Sequence, residues 1–167
     1  YKTAGDASET ASVFSGARHI VEQTLHNHRV TANTMEPRGY LGEYDAASEH
    51  FTLRGGVHSP HTLRGQLARD VFHLPEDRFR VITGDVGGSF GMRGAIYPEL
   101  ALVLWAARRI GRPVKWVASR SEGLTGDDHG RDVSSHAALA LDGDGNFLGL
   151  RVSITANMGA WLGVKGP

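Results

Sequence analysis

The sequence predicts an α+β fold, a mixed α/β arrangement in which a mixed β-sheet carries hairpins and two main helices. Three observations predict it. Short stretches of strand character recur along all 167 residues. Two stretches have helical spacing or a long apolar run, and a turn signal near the end joins two strands. The order ββα-βα-β-ββ mixes hairpins with helical crossovers, which is the mark of a mixed sheet.

Taken in order, Tyr1 to Ala17 is rich in Gly, Ala, Ser and Thr and reads as a lead-in with weak helical character. His19 to Val30 alternates, with Ile20, Glu22, Thr24, His26 and His28 on one face and Val21, Gln23, Leu25 and Asn27 on the other, so a long strand is expected. Met35-Glu36-Pro37 and the Gly39/Gly42 pair read as a loop or turn. His50 to Val57 is a second strand ending at Gly55-Gly56. From Ser59-Pro60 the spacing of Leu63, Leu67, Val71 and Phe72 turns helical, with Pro60 in the first turn and Leu74 to Asp77 closing it. Phe79 to Thr83 is a short strand. A glycine loop from Gly84 to Gly94 follows, then an apolar helix from about Pro98 to Gly111. That helix is apolar nearly all round, so it is expected to be buried. Val114 to Ala118 is a strand, and His136 to Leu141 and Phe147 to Ala156 flank the hairpin signal Asp142-Gly143-Asp144-Gly145-Asn146.

Composition excludes several functions. Lys plus Arg and Asp plus Glu both number 18, and aromatic residues make up 8%, so no basic, aromatic-studded face for nucleic acid is expected. No run approaches a membrane span. The chain has no cysteine, which removes disulfides, thiolate metal sites and an iron–sulfur cluster ligated from within these residues. The first residue is Tyr1 and the last are Lys165-Gly166-Pro167, so the expectation is a piece of a longer polypeptide: a lead-in at 1–17 and a partial domain at 18–167.

The segment Phe79 to Arg109 reads as strand, glycine loop, helix. Such a loop brings backbone N–H groups close to a ligand, and the helix dipole aims at an anion. Gly87, Gly88, Gly91 and Gly94 clear the approach, and Arg93 is placed for a cationic contact to a phosphate or oxo group. Two phosphate motifs fail. A Walker loop ends in Gly-Lys-Ser/Thr, whereas this one ends Met92-Arg93-Gly94, and the glycine intervals do not fit G-x-G-x-x-G. The residues alone leave two readings, an anion or polar cofactor at the loop and a structural turn.

Asp85-Val86-Gly87-Gly88-Ser89-Phe90-Gly91-Met92-Arg93 resembles the G-G-G-F-G-x-K loop of the molybdopterin-binding subunits of xanthine dehydrogenases, aldehyde oxidases and aerobic carbon monoxide dehydrogenases. The flanks are similar too. Met35-Glu36-Pro37 resembles an L-E-P turn, Ser59-Pro60-His61 a helix opening, and Leu74-Pro75-Glu76-Asp77 an L-P-E stretch. Gly111-Arg112-Pro113-Val114-Lys115-Trp116, Arg120-Ser121-Glu122, Asp142 to Phe147 and Asn157-Met158-Gly159-Ala160 continue the series in order.

The resemblance implies a molybdenum cofactor, a molybdenum–pterin in its cytosine dinucleotide form, with the Phe90 and Gly91 amides facing an oxo ligand and Gly88, Met92 and Arg93 beside them. It implies hydroxylation with water as oxygen source, the substrate being an aldehyde, an N-heterocycle or carbon monoxide. It also implies iron–sulfur and FAD subunits as partners, a dimer of heterotrimers, and a cytoplasmic location. The catalytic glutamate and most pterin contacts are expected in the remainder of the chain, so no catalytic residue is expected in this stretch. Three departures matter. Ser89 replaces a usual glycine, Gly94 stands where xanthine dehydrogenases have a substrate-recognising glutamate, and the family's oxo-contacting glutamine falls at Val30. The alternative function is a non-catalytic module holding an anionic metabolite at the same loop.

Other residues invite weaker readings. His26, His28, His58 and His61 can be drawn as a metal site, but no carboxylate motif supports it. Asp142 to Asn146 opens like a calcium loop yet lacks the later glycine and glutamate, so a hairpin turn is expected. Asp127-Asp128-His129 reads as a polar loop, and Glu36 as a structural carboxylate in preference to an acid near the cofactor.

Overall fold

A computed structural model describes residues 4–159; the Lys165-Gly166-Pro167 end and Ala160 lie outside them. By contact the chain divides into two units, one holding residues up to Val30 and those from Arg131, the other Thr31–Gly130.

The second unit is a four-stranded mixed sheet. Its strands are β3 (Gly39–Asp45), β4 (His50–Gly55), β5 (Phe79–Ile82) and β6 (Val114–Val117), in the order β5-β4-β3-β6. β3 runs antiparallel to both β4 and β6, while β5 is parallel to β4. A parallel neighbour needs a crossover, which is supplied by helix α2 (Pro60–Gln66), prolonged by a π-helical turn at Leu67–Phe72. Phe51 of β4 is the hub of the core. Its ring stacks on Phe79 at 4.9 Å between centroids and touches Phe72 at 5.1 Å, with Leu53, Leu63, Leu67, Leu100 and Leu104 buried around it.

Helix α3 (Pro98–Ile110) lies against this sheet through Leu100, Val103, Leu104 and Ala107, an i, i+3, i+4, i+7 stripe. The expectation that the helix is buried all round is not met. Leu102, Trp105 and Ile110 are more than half exposed, because the sheet meets only one side of the helix. The expected stop holds, with Gly111 closing the helix in the left-handed region at φ +66.

The Gly39/Gly42 pair corrects the sequence reading as well. It belongs to β3 and does not make a turn. A Cβ at Gly42 would lie 2.5 Å from the backbone carbon and oxygen of Val103, so glycine is needed for close strand–helix approach. Gly42→Ala is therefore expected to lower the stability of the complete protein by about 1–3 kcal/mol, the usual cost of overpacking, read as a fall in thermal midpoint. An unchanged midpoint would mean that the helix can move aside freely. A further helix, α4 (Arg120–Gly126), was not anticipated, although its Ser119/Glu122 capping box is a legible start signal.

The first unit pairs β1 (His19–Asn27), β8 (Val133–Leu141) and β9 (Phe147–Ala156) as an antiparallel sheet in the order β1-β8-β9. Helix α1 (Ala7–Gly16), capped by Asp6, sets Phe14 over Ala138 and Ala140. The β8–β9 turn is built by Asp142, whose carboxylate accepts the Asp144 and Asn146 backbone N–H groups and the Asn146 side-chain amide at 2.8–2.9 Å. Those bonds, led by Asn146, hold its carboxyl below the ordinary value. Because the folded pKa is depressed, this contribution is present above the ordinary carboxylate range and is lost as pH falls through the folded value. A two-stranded ladder joins β2 (Val30–Thr31) and β7 (His129–Gly130).

Candidate functional site

The glycine loop is held from beneath by a frame that local sequence does not announce. Its first edge lies along the 33–37 segment: Glu36 N donates to Gly87 O at 3.2 Å, and Gly87 N donates to Glu36 Oε2 at 2.8 Å. A Cβ at Gly87 would collide with that of Glu36, so the close pairing needs glycine. Glu36 thus acts as the structural carboxylate that was expected.

The second support is Arg93, whose side chain is fully buried. Its Nε donates to Gly88 O at 2.8 Å, Nη1 to Gly56 O at 3.3 Å, and Nη2 to Glu36 O at 2.6 Å and Glu36 Oε2 at 3.0 Å. The cationic contact to a ligand expected of Arg93 therefore gives way to another task. Every guanidinium nitrogen is engaged inside the chain, fixing the loop to two other segments.

The third support is Tyr97, whose hydroxyl donates to Met92 O at 2.8 Å and accepts the Asp128 N–H at 3.0 Å. Burial pushes the phenol up to about 12, against the opposing effect of the Asp128 N–H, so it stays protonated and able to donate at neutral pH. Behind it lies a cluster missed by sequence reasoning. Arg38, 2% exposed, donates from Nε to Asp127 Oδ1 at 2.6 Å and from Nη1 to Glu99 Oε2 at 2.9 Å, with its guanidinium 3.7 Å above the Tyr97 ring centre. Asp127 is thus a buried ion-pair member, and the reading of Asp127-Asp128-His129 as a polar loop is corrected at that residue. The three side chains come from positions 38, 99 and 127, too far apart in sequence for any spacing rule to join them.

What this frame presents is a strained and open crest. Gly88 and Gly91 have φ of +105 and +98, and Phe90, which is not glycine, sits at +49. Left-handed backbone at a phenylalanine is uncommon and marks a position fixed by its surroundings. The Phe90 side chain is 83% exposed. Among the described residues, no hydrogen bond uses the amides of Ser89, Phe90 or Gly91, and nothing lies within 4 Å of the place where a Cβ on Gly91 would stand. The carbonyls of Ser89 and Gly91 are engaged within the loop, by Met92 N and Gly94 N. Met92 itself is buried beneath.

Of the five residues expected at the loop, Gly88, Phe90 and Gly91 therefore belong to the crest, and Met92 and Arg93 to its support. The helix dipole expectation is also revised. A short 3₁₀ turn at Met92–Gly94 and residues 95–97 separate the crest from α3, so the donors are loop amides alone. A ligand with an acceptor oxygen and a flat apolar flank fits free N–H groups next to an exposed aromatic ring. His26 and His28 fall in one unit, His58 and His61 in the other, and among the described residues no three His, Asp or Glu side chains gather as a metal site.

The α+β framework thus leaves the loop amides of Ser89, Phe90 and Gly91 without a hydrogen-bond partner among the described residues. The chain belongs to the molybdopterin cofactor-binding domain family, which it matches over residues 1–166. It is 34% identical over 164 residues to the carbon monoxide dehydrogenase large chain of Hydrogenophaga pseudoflava, covering 98% of this chain and 20% of that one. It is 35% identical over 149 residues to the 6-hydroxypseudooxynicotine dehydrogenase complex subunit gamma of Paenarthrobacter nicotinovorans, covering 89% and 18%. Among solved structures, quinoline 2-oxidoreductase from Pseudomonas putida 86 superposes with a TM-score of 0.88 at 32% identity, over 94% of this chain and 20% of the other. The chain thus spans about a fifth of the length of these relatives. Nothing in these likenesses supports a module for an anionic metabolite.

Proposed function

We propose that these residues form part of the molybdenum-cofactor-binding large subunit of a molybdenum hydroxylase. The observation that carries the reading is the crest: amides at Phe90 and Gly91 without a partner among the described residues, an exposed phenylalanine ring, and left-handed backbone braced from below by the Arg93 hydrogen bonds. Phe90 and Gly91 would hold an oxygen of the cofactor through their N–H groups, Gly88 would keep the backbone low enough for approach, and Met92 and Arg93 shape the loop. When bound, the molybdenum–pterin supplies two-electron oxidation of a carbon centre with water as the oxygen source. The chain's own part is to orient that group.

The substrate class is an aldehyde, an N-heterocycle or carbon monoxide, in keeping with relatives named for carbon monoxide, quinoline and 6-hydroxypseudooxynicotine. Gly94 lacks the carboxylate that would recognise a purine. Electrons would leave through iron–sulfur and FAD subunits, since these 167 residues carry no cysteine and the relatives are large or gamma subunits of complexes. The proposal includes the cytosine dinucleotide form of the pterin, a dimer of heterotrimers and a cytoplasmic location. Among the described residues no helix is long and apolar enough to cross a membrane.

Metal and pterin analysis of the complete, matured complex tests this. About one molybdenum per large subunit is expected, and a value far below that in correctly matured protein would remove the proposal. A sharper test is Gly91→Ala. Among the described residues nothing lies within 4 Å of a methyl group there, so within them the cost to folding is backbone strain of about 1–3 kcal/mol at φ +98. Molybdenum content is nevertheless expected to fall severalfold, since the methyl occupies the approach. Full molybdenum loading in that variant would place the cofactor elsewhere.

A further inference from the structure

The three-stranded sheet of the first unit is finished on one face only. Side chains alternate along a strand, and the registers sort them without ambiguity. Ala138, Ala140 and Gly149 share the face covered by Val13 and Phe14 of α1. On the other face, Val21, Leu139 and Leu150 stand side by side, and Leu25 and Ile154 flank Ser135 two residue pairs further on, with Val152 between. Leu150 is 62% exposed and Ile154 65%, and Val21, Leu25 and Val152 are between 46% and 59% exposed. No Asp, Glu, Lys or Arg occurs on this face in the strands, whereas the α1 face carries Glu22 and Arg151.

We infer that this uncharged face is a permanent core interface. Its occupant is polypeptide of the same large subunit outside residues 1–167. The inference rests on the proposal that the chain is a piece of such a subunit. Two observations choose this occupant. The relatives are about five times as long as the stretch they share with this chain, so most of their mass lies outside it. The only buried cluster of this unit among the described residues is Phe14, Ala138 and Ala140, and two of these are alanines. The larger apolar side chains of the sheet, Val21, Leu25, Leu150, Val152 and Ile154, lie outside that cluster on the other face. A largely apolar patch of this kind, interrupted only by the uncharged Gln23 and Ser135 and free of charge to its edges, matches half of a domain core better than a reversible contact, which carries a polar rim.

Radical footprinting of the isolated, full-length large subunit and of the complete complex tests the inference. Leu150, Val152 and Ile154 are expected to label severalfold less than their exposure in residues 4–159 implies, and equally in both samples. Strong labelling in the isolated subunit overturns the inference, whether it persists in the complex or is lost there, since loss would assign the face to a partner subunit. Leu150→Lys with Ile154→Lys gives a second readout. A marked drop in thermal midpoint is expected, against little change for Ile20→Lys on the opposite face, and equal midpoints would overturn the inference. Molybdenum content, measured on the same unsubstituted sample, reports separately on the cofactor reading.

Discussion

Arg93→Met is expected to collapse the glycine loop and to leave the complete protein nearly free of molybdenum. The side chain is fully buried and serves four carbonyls, those of Gly88, Gly56, Glu36 and Pro37, together with the Glu36 carboxylate. Methionine fills much of the volume but donates nothing. The carboxylate of Glu36 is half exposed and can return to water, so the ion pair contributes little to the cost. The carbonyls are less fortunate, and losing a charged donor to several acceptors costs about 3–5 kcal/mol. Arg93→Lys keeps the charge on a single point that cannot reach three segments at once, so an intermediate loss is expected. The measurements are thermal unfolding and molybdenum per subunit. Full loading in Arg93→Met would show that the loop keeps its shape without the guanidinium.

The second large effect is expected at Arg38. Burial works against its charge, but hydrogen bonds to Glu99 and Asp127 outweigh burial and hold its pKa above the ordinary value. Arg38→Met leaves the Asp127 carboxyl group, 4% exposed, without its guanidinium partner. Breaking a buried pair from one side costs about 3–5 kcal/mol. The double variant Arg38→Met with Asp127→Asn removes the stranded carboxyl group and is expected to recover part of that loss, a non-additivity that direct contact requires. A double variant as unstable as the sum of the single variants would show that the pair is not energetically coupled.

Both residues show where the sequence could and could not be read. The glycine loop was legible because its residues are contiguous, and so were the Gly111 stop of α3 and the Asp142 hairpin. β3 was misread because Gly42 looks like a turn signal, and only the nearness of the Val103 backbone reveals why glycine is there. The burial of α3 was overstated because composition says how apolar a helix is and not how many neighbours it meets. The roles of Arg93, Tyr97 and Arg38 were not legible at all. Each depends on partners between 5 and 89 positions away, and no periodicity links an arginine to a carbonyl across a fold. The crest of the site was thus readable from local chemistry, whereas its support was not.

The central claim is that the Phe90 and Gly91 amides address the cofactor. The structure of the complete assembly with molybdenum and pterin bound tests it most directly. The account predicts a cofactor oxygen within hydrogen-bond distance, roughly 2.7–3.2 Å, of one or both of those nitrogens, with the Phe90 ring beside it. A crest turned away from the metal, or packed full of side chains from another segment, would contradict it.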